Sequence, residues 1–203
     1  MTKVKICGIT NVRDAEHALE CGADAIGFVF ADSPRRISVK IAREITQALG
    51  PWVISVGVFV NESQKKILEV VSQCQLSAIQ LHGDETASYA RSLTGCKVIK
   101  AFRIADKNDL KMTHGYDVDA YLLDTKVNGI YGGSGKCFDW KMLRSGSVPK
   151  PYILSGGLNP KNINDAVRML SPYGVDVSSG VEKSPGKKDP KLVREFILNA
   201  KKK

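Results

Sequence analysis

Residues 152–177 read YILSGGLNPKNINDAVRMLSPYGVDV, and this stretch decides the fold. It opens on an apolar run, Tyr152, Ile153 and Leu154, and ends on Val175, Asp176 and Val177. Between the runs Ile163, Ala166, Val167 and Leu170 recur at spacings of 3, 4 and 7, which lines one face of an α-helix. Asn159-Pro160 offers an N-cap followed by proline at the first helical position, and Gly174 sits where a helix should stop. The stretch therefore reads as strand, helix, strand.

The same alternation runs through the chain. Further apolar runs lie at 4–7, 25–30, 53–60, 78–81, 98–102 and 120–124. They are mostly continuous rather than alternating, as parallel strands covered on both faces require. Ile67, Leu68, Val70, Val71 and Cys74 form another helix face, Asp189-Pro190 another helix start, and Gly50 another stop. Eight strands alternating with eight helices, with no linker dividing them, predict one domain over residues 1–203, a closed (β/α)8 TIM barrel near the minimum size. A doubly wound sheet is the competitor, but there is no Gly-rich first turn to favour it. The longest interval between strands holds residues 125–140, a loop after the sixth strand in which extra length is expected to serve function.

Composition narrows the function. The chain has 203 residues, 43% hydrophobic and 25% charged, with no apolar run near the ~18 that would span a membrane. Lys3 and Lys5 interrupt any signal-peptide core. Cys7, Cys21, Cys74, Cys96 and Cys137 are scattered, odd in number and without a C-x-x-C pair, so neither a disulfide framework nor a metal site is expected, and the reducing cytoplasm is the expected location. A net charge of +9 suits nucleic acid or an anionic small molecule. The basic clusters, Lys187-Lys188 and Lys201-Lys202-Lys203, read as solvated termini, and no nucleic-acid motif interleaves aromatic with basic residues. Neither a nucleic-acid nor a membrane partner is expected.

A barrel of this kind builds its site at the C-terminal strand ends. The residues placed there are Cys7, His82, Asp124, the Ser155-Gly156-Gly157 turn and the Ser178-Ser179-Gly180 turn, with Arg35 and Arg36 in the second loop. Glycine-serine turns after the seventh and eighth strands offer bare backbone N–H groups to a phosphate; glycine also serves any tight turn. Cys7 and Asp124, on strands one and six, can face each other across the mouth as a thiolate base and a carboxylic acid. The alternatives are a packed thiol and a helix N-cap. Lys100 reads as a Schiff-base amine or as an ion-pair partner. The three histidines lack metal-ligand spacing. The loop GIYGGSGKC fails as a nucleotide-binding P-loop, because Ile130 and Cys137 occupy positions where glycine and Ser or Thr are needed; Lys136 there is a candidate anion contact.

KICGIT, GADAIGFVF, SPRRIS, VGVFVN, QLHGDE, VIKAF, LLDT, YGGSGKCFDW, LSGGLNP, DVSSGVE and SPGKKD appear in order between residues 4 and 196. Together they closely resemble the phosphoribosylanthranilate isomerase family. The resemblance implies a (β/α)8 barrel in tryptophan biosynthesis that rearranges N-(5-phosphoribosyl)anthranilate to 1-(2-carboxyphenylamino)-1-deoxyribulose 5-phosphate, without cofactor or metal, as a monomer or homodimer. It implies Cys7 as general base, Asp124 as general acid and Arg35 as the contact for the anthranilate carboxylate. Gly156, Gly157, Ser178, Ser179 and Gly180 then match the phosphate region, with His82 also among the substrate-binding residues. Arg36 stands where the family usually carries another residue, and the loop 31–34 is short against the family pattern.

The implied chemistry needs opposite tuning of two groups. The helix N-terminus after Cys7 is expected to lower the thiol, and burial beside an aromatic ring to favour the protonated carboxyl. Other phosphate-binding barrels, namely the histidine-pathway aminoaldose isomerase and indole-glycerol phosphate synthase, are the nearest rivals; the first has an aspartate where Cys7 stands.

Overall fold

The computed structural model describes residues 1–125, 140–143, 148 and 151–202. Eight parallel strands close into a barrel in chain order: β1 (Lys3–Cys7), β2 (Ala25–Val29), β3 (Ile54–Phe59), β4 (Ala78–Leu81), β5 (Lys97–Ile104), β6 (Ala120–Thr125), β7 (Tyr152–Leu154) and β8 (Gly174–Val177). β1 closes the circle by pairing with β8, Lys5 opposite Asp176 and Ile6 opposite Val177. This is the TIM-barrel architecture that the alternation predicts.

The helical layer departs from eight regular helices. Among the described residues there are six α-helices: α1 (Val12–Glu20), α2 (Val39–Leu49), α3 (Gln64–Cys74), α4 (Ala87–Ser92), α5 (Ile163–Leu170) and α6 (Pro190–Lys201). The connection after β5 carries only a 3₁₀ turn at Asp109–Thr113, and a second 3₁₀ turn lies at Trp140–Leu143. Caps explain most of the starts. Asn11, Ser38, Ser63, Thr86 and Asp189 each accept a hydrogen bond from a backbone N–H in the first turn of the helix that follows. Asn159-Pro160 does not start α5. The Asn159 side chain accepts from the Lys161 N–H in a turn, and the helix begins at Ile163. Gly50 ends α2 at φ +75°, but Gly174 is the first residue of β8, and Ser171 takes the left-handed position after α5.

Strand parity sorts the side chains. Residues of one parity on each strand pack against the helices, in a core that includes Ile6, Ile26, Phe28, Ile79, Leu81 and Tyr121. Those of the other parity fill the barrel: Val56, Ala78, Ile99, Ala101, Ala120, Leu122 and Ile153 form a separate apolar plug, with Ala25 packed against it. Because the plug is apolar, polar groups of the same parity are confined to the upper part of the interior.

Lys100 has the outward parity, which settles its two readings. Its ammonium is buried, donates to the carbonyls of Leu81 (3.4 Å) and Gly83 (2.8 Å), and pairs with Glu85 at 2.9 Å. Glu85 in turn accepts from the N–H groups of Asn61 and Gly83. Lys100 clamps the loop after β4. Breaking a buried pair leaves one charge uncompensated. Lys100→Met is therefore expected to lower stability in urea unfolding by about 3–5 kcal/mol. Lys100→Met with Glu85→Gln should lose less, and equal losses in the two variants would refute the pairing argument.

Candidate active site

The upper interior holds a cleft of about 780 Å³ whose lining includes Cys7, Phe30, Arg35, Gln80, His82, Asp124, Ser155, Asp176 and Ser178. The sequence-predicted groups from strands one, four, six, seven and eight thus meet in one space. Parity explains the meeting. Cys7 lies two residues beyond Lys5, His82 beyond Gln80, and Ser178 beyond Asp176, so each strand contributes one deep and one shallow polar group.

The deep groups form a chain of hydrogen bonds. Ser155 Oγ donates to Asp176 Oδ2 at 3.3 Å, and Lys5 Nζ bridges Asp176 Oδ1 (2.8 Å) and Gln80 Oε1 (3.0 Å). Gln80 Nε2 lies 2.8 Å from His82 Nδ1, and His82 Nε2 lies 3.2 Å from Asp124 Oδ2. The directions follow from donor chemistry. An ammonium can only donate, so Gln80 must turn its oxygen to Lys5 and its NH₂ to His82. His82 Nδ1 then accepts, which leaves the proton on Nε2, where it donates to Asp124. All six side chains belong to buried residues.

Around Cys7 burial and charge pull in opposite directions. Burial pushes the thiol up, above the ordinary range; Lys5 pulls it down, Asp176 opposes that pull, and Lys188 pulls down again. The lysine charges oppose the effect of burial. Gly8 and Gly27 make the room. A β-carbon at Gly27 would stand 2.8 Å from Cys7 Sγ and 3.0 Å from Lys5 Cε. At Gly8, with φ +74°, it would stand 2.7 Å from Arg35 Cδ and 3.0 Å from Ser178 Oγ.

Arg35 reaches the cleft with its guanidinium gripped by Glu182: Nε to Oε1 at 2.9 Å and Nη2 to Oε2 at 2.8 Å. Glu182 also accepts from Lys188 at 2.8 Å, and the Lys188 ammonium donates to the Ser178 carbonyl at 3.2 Å. Burial works against the Glu182 carboxylate, but Arg35 and Lys188 hold it below the usual range. The hairpin of β9 (Glu182–Ser184) and β10 (Lys187–Lys188) thus corrects the reading of Lys187-Lys188 as a solvated cluster. Lys187 is exposed, but Lys188 is 2% exposed, because parity turns its side chain onto Glu182. Arg36 also lines the cleft.

The glycine-serine turns stand side by side. Gly156 and Gly157 have φ of +84° and +66°, open to glycine and strained for other residues. Gly180, in the 3₁₀ turn Ser179–Val181, approaches so closely that any β-carbon would collide with the Leu158 carbonyl oxygen. The Ser178 hydroxyl is buried and has no hydrogen-bond partner among the described residues. Lys136, Cys137 and the loop expected after the sixth strand lie outside those residues, apart from the end of β6 and Trp140. Among the described residues no group of three His, Cys, Asp or Glu side chains could hold a metal ion, and no helix is long and apolar enough to cross a membrane.

Sequence reasoning missed Lys5, Gln80, Asp176, Glu182 and Lys188. A signal existed for Gln80 and Asp176, each the single polar residue of an otherwise apolar strand; on β1 both Lys3 and Lys5 have the inward parity, and only Lys5 is buried.

Comparison with known proteins extends the geometry over the whole chain. Residues 4–199 match the family profile of N-(5'phosphoribosyl)anthranilate (PRA) isomerase. The N-(5'-phosphoribosyl)anthranilate isomerase of Thermotoga neapolitana is 51% identical, covering 99% of both chains. The crystal structure of phosphoribosyl anthranilate isomerase from Thermotoga maritima superposes with a TM-score of 0.91 at 45% identity, again over 99% of both chains. A phosphoribosyl anthranilate isomerase in complex with reduced 1-(o-carboxyphenylamino)-1-deoxyribulose 5-phosphate superposes at 0.88, with 44% identity and 99% coverage of each chain. The chain belongs to the N-(5'-phosphoribosyl)anthranilate isomerase family, and its reaction is the isomerisation of phosphoribosylanthranilate in tryptophan biosynthesis.

Proposed function

We propose that Cys7 is the general base and Asp124 the general acid of this isomerisation. The observation that carries the assignment is their meeting in one cleft, Cys7 beside the Lys5 stem and Asp124 on the His82 ring nitrogen. Asp124, protonated, gives its proton to the furanose ring oxygen as the C1′–O bond breaks, and the anthranilate nitrogen lone pair forms the iminium. His82 Nε2–H steadies the carboxylate left behind. The Cys7 thiolate removes the C2′ proton, the C–H electrons neutralise the iminium as an enolamine, and tautomerisation gives the ketone.

The substrate is expected to lie with its phosphate on the N–H groups around Gly156, Gly157, Ser179 and Gly180, beside the Ser178 hydroxyl. The bound product analogue of the related enzyme has the same two anionic ends, a phosphate and an aromatic carboxylate. In this orientation the carboxylate meets Arg35, whose fork is held by Glu182 and has further donors to offer. His82 serves substrate binding through Asp124. One domain over residues 1–203 carries the activity in the cytoplasm, as a monomer or homodimer, on a small phosphorylated substrate and without nucleic acid.

Cys7→Ala or Asp124→Asn should lower kcat by about 10²-fold or more, with smaller changes in KM, in an assay that follows the loss of phosphoribosylanthranilate fluorescence. Near-normal turnover by Cys7→Ala would return the thiol to a packing role.

The pH profile follows from the sign of the Cys7 shift. Burial raises this thiol, so the base form is scarce at neutral pH and grows as pH rises. Because kcat/KM reports the free enzyme, it should climb between pH 7 and about 9, up to roughly tenfold per unit. A rise complete below pH 7 would contradict the assignment.

Arg35→Ala should cost about 2–4 kcal/mol in kcat/KM on the natural substrate. An aniline analogue without the carboxylate should react poorly with the parent and lose little more in Arg35→Ala. Equal losses on both substrates would make Arg35 a structural partner of Glu182, and the same pattern in Arg36→Ala instead would move the carboxylate contact by one residue.

A further inference from the structure

Lys5 touches neither reacting carbon nor ring oxygen in the proposed mechanism, yet its placement is closely constrained. Its residue is 5% exposed, and its ammonium is fixed from two sides by Asp176 and Gln80. Its Cε and the Cys7 sulfur converge on the hollow that Gly27 leaves by lacking a β-carbon. A lysine buried merely to close the barrel would not need its stem against the thiol.

We propose that Lys5 is the positioning residue that favours the base form of Cys7 against the effect of burial, and that Asp176 and Gln80 hold Lys5 in place. This rests on the assignment of Cys7 as the base. The other charged or titratable groups around Cys7 are Asp176 from β8, Lys188 and Glu182 from the hairpin, Arg35 from the loop after β2, and His82 and Asp124 across the cleft. Of the cations, Lys5 and Lys188 act on the thiol, Lys5 more strongly. Lys188 is committed to Glu182, on the outer side. Burial disfavours the Lys5 ammonium, but Asp176 and Cys7 hold its proton above the ordinary lysine range, so the charge persists at working pH. The same ammonium fixes the orientation of the Gln80 amide, and through it the proton on His82 that faces Asp124. One buried cation therefore serves both catalytic groups, from the deep side.

The test is the pH dependence of Cys7 alkylation by iodoacetamide in the free protein, read by peptide mass spectrometry so that the other cysteines do not interfere. Lys5→Met should move the alkylation midpoint up by about one pH unit or more, roughly a tenfold slower reaction at fixed neutral pH. That variant leaves Asp176 buried without its cation, and it can fail to fold. Lys5→Met with Asp176→Asn removes both charges and carries the test in that case. Because Lys5 acts more strongly on the thiol than Asp176, its midpoint should still rise by about half a unit, roughly threefold in rate. The acidic limb of kcat/KM should follow the alkylation midpoint. A parent-like midpoint in the double variant overturns the role of Lys5. A midpoint that moves while the kcat/KM limb stays put upholds the hold of Lys5 on the thiol and overturns Cys7 as the base.

Discussion

The ion pair between Lys5 and Asp176, 2.8 Å long and nearly dry, is the constraint on which the rest of this site depends. Removing two charges from water costs several kcal/mol per ion, which attraction alone repays only when further hydrogen bonds complete the geometry. Here Gln80 completes the ammonium and Ser155 the carboxylate, from two other strands. A pair so completed ties β1, β4, β7 and β8 together in one layer above the apolar plug. Everything shallower, including Cys7, His82 and Ser178, stands two residues further along these strands, and strand geometry then determines where it points.

That layer explains what would tune the Cys7 thiol for the role proposed for it. Burial alone would make Cys7 inert, since a buried thiol holds its proton. The opposing charges come from lysines whose own counter-ions, Asp176 and Glu182, keep them in place. Glu182 has a second duty, because it grips the Arg35 guanidinium whose stem lies over Gly8. Asp176 and Glu182 thus serve as anchors for Lys5, Lys188 and Arg35. Asp124 accepts from the His82 ring N–H.

Much of this was legible in the sequence, for reasons that are local. Continuous apolar runs alternate with capped helical faces, so the strand count and closure could be read directly. Cys7 and Asp124 could be placed at the mouth because each ends, or nearly ends, such a run. The supports were harder to read. Lys5 bonds to Asp176 across 171 positions and to Gln80 across 75, and no local pattern encodes such partners. Lys188 looked solvated beside Lys187, because the hairpin that buries one and exposes the other is set by its contact with Glu182. Gly174 and Asn159-Pro160 carried correct local signals, a turn and a cap, that the barrel uses a few residues away from where a helix alone would place them.

The central claim is that a base on β1 and an acid on β6 face the two reacting ends of one sugar. A crystal structure of this protein with reduced 1-(o-carboxyphenylamino)-1-deoxyribulose 5-phosphate tests it most directly. The account predicts the phosphate against Gly156, Gly157 and Gly180, the carboxylate on Arg35, Cys7 Sγ at about van der Waals distance, ~3.5–4 Å, from C2′, and Asp124 at the oxygen released from the ring. An analogue bound in the reverse direction, or with C2′ nearer Asp124 than Cys7, would contradict it.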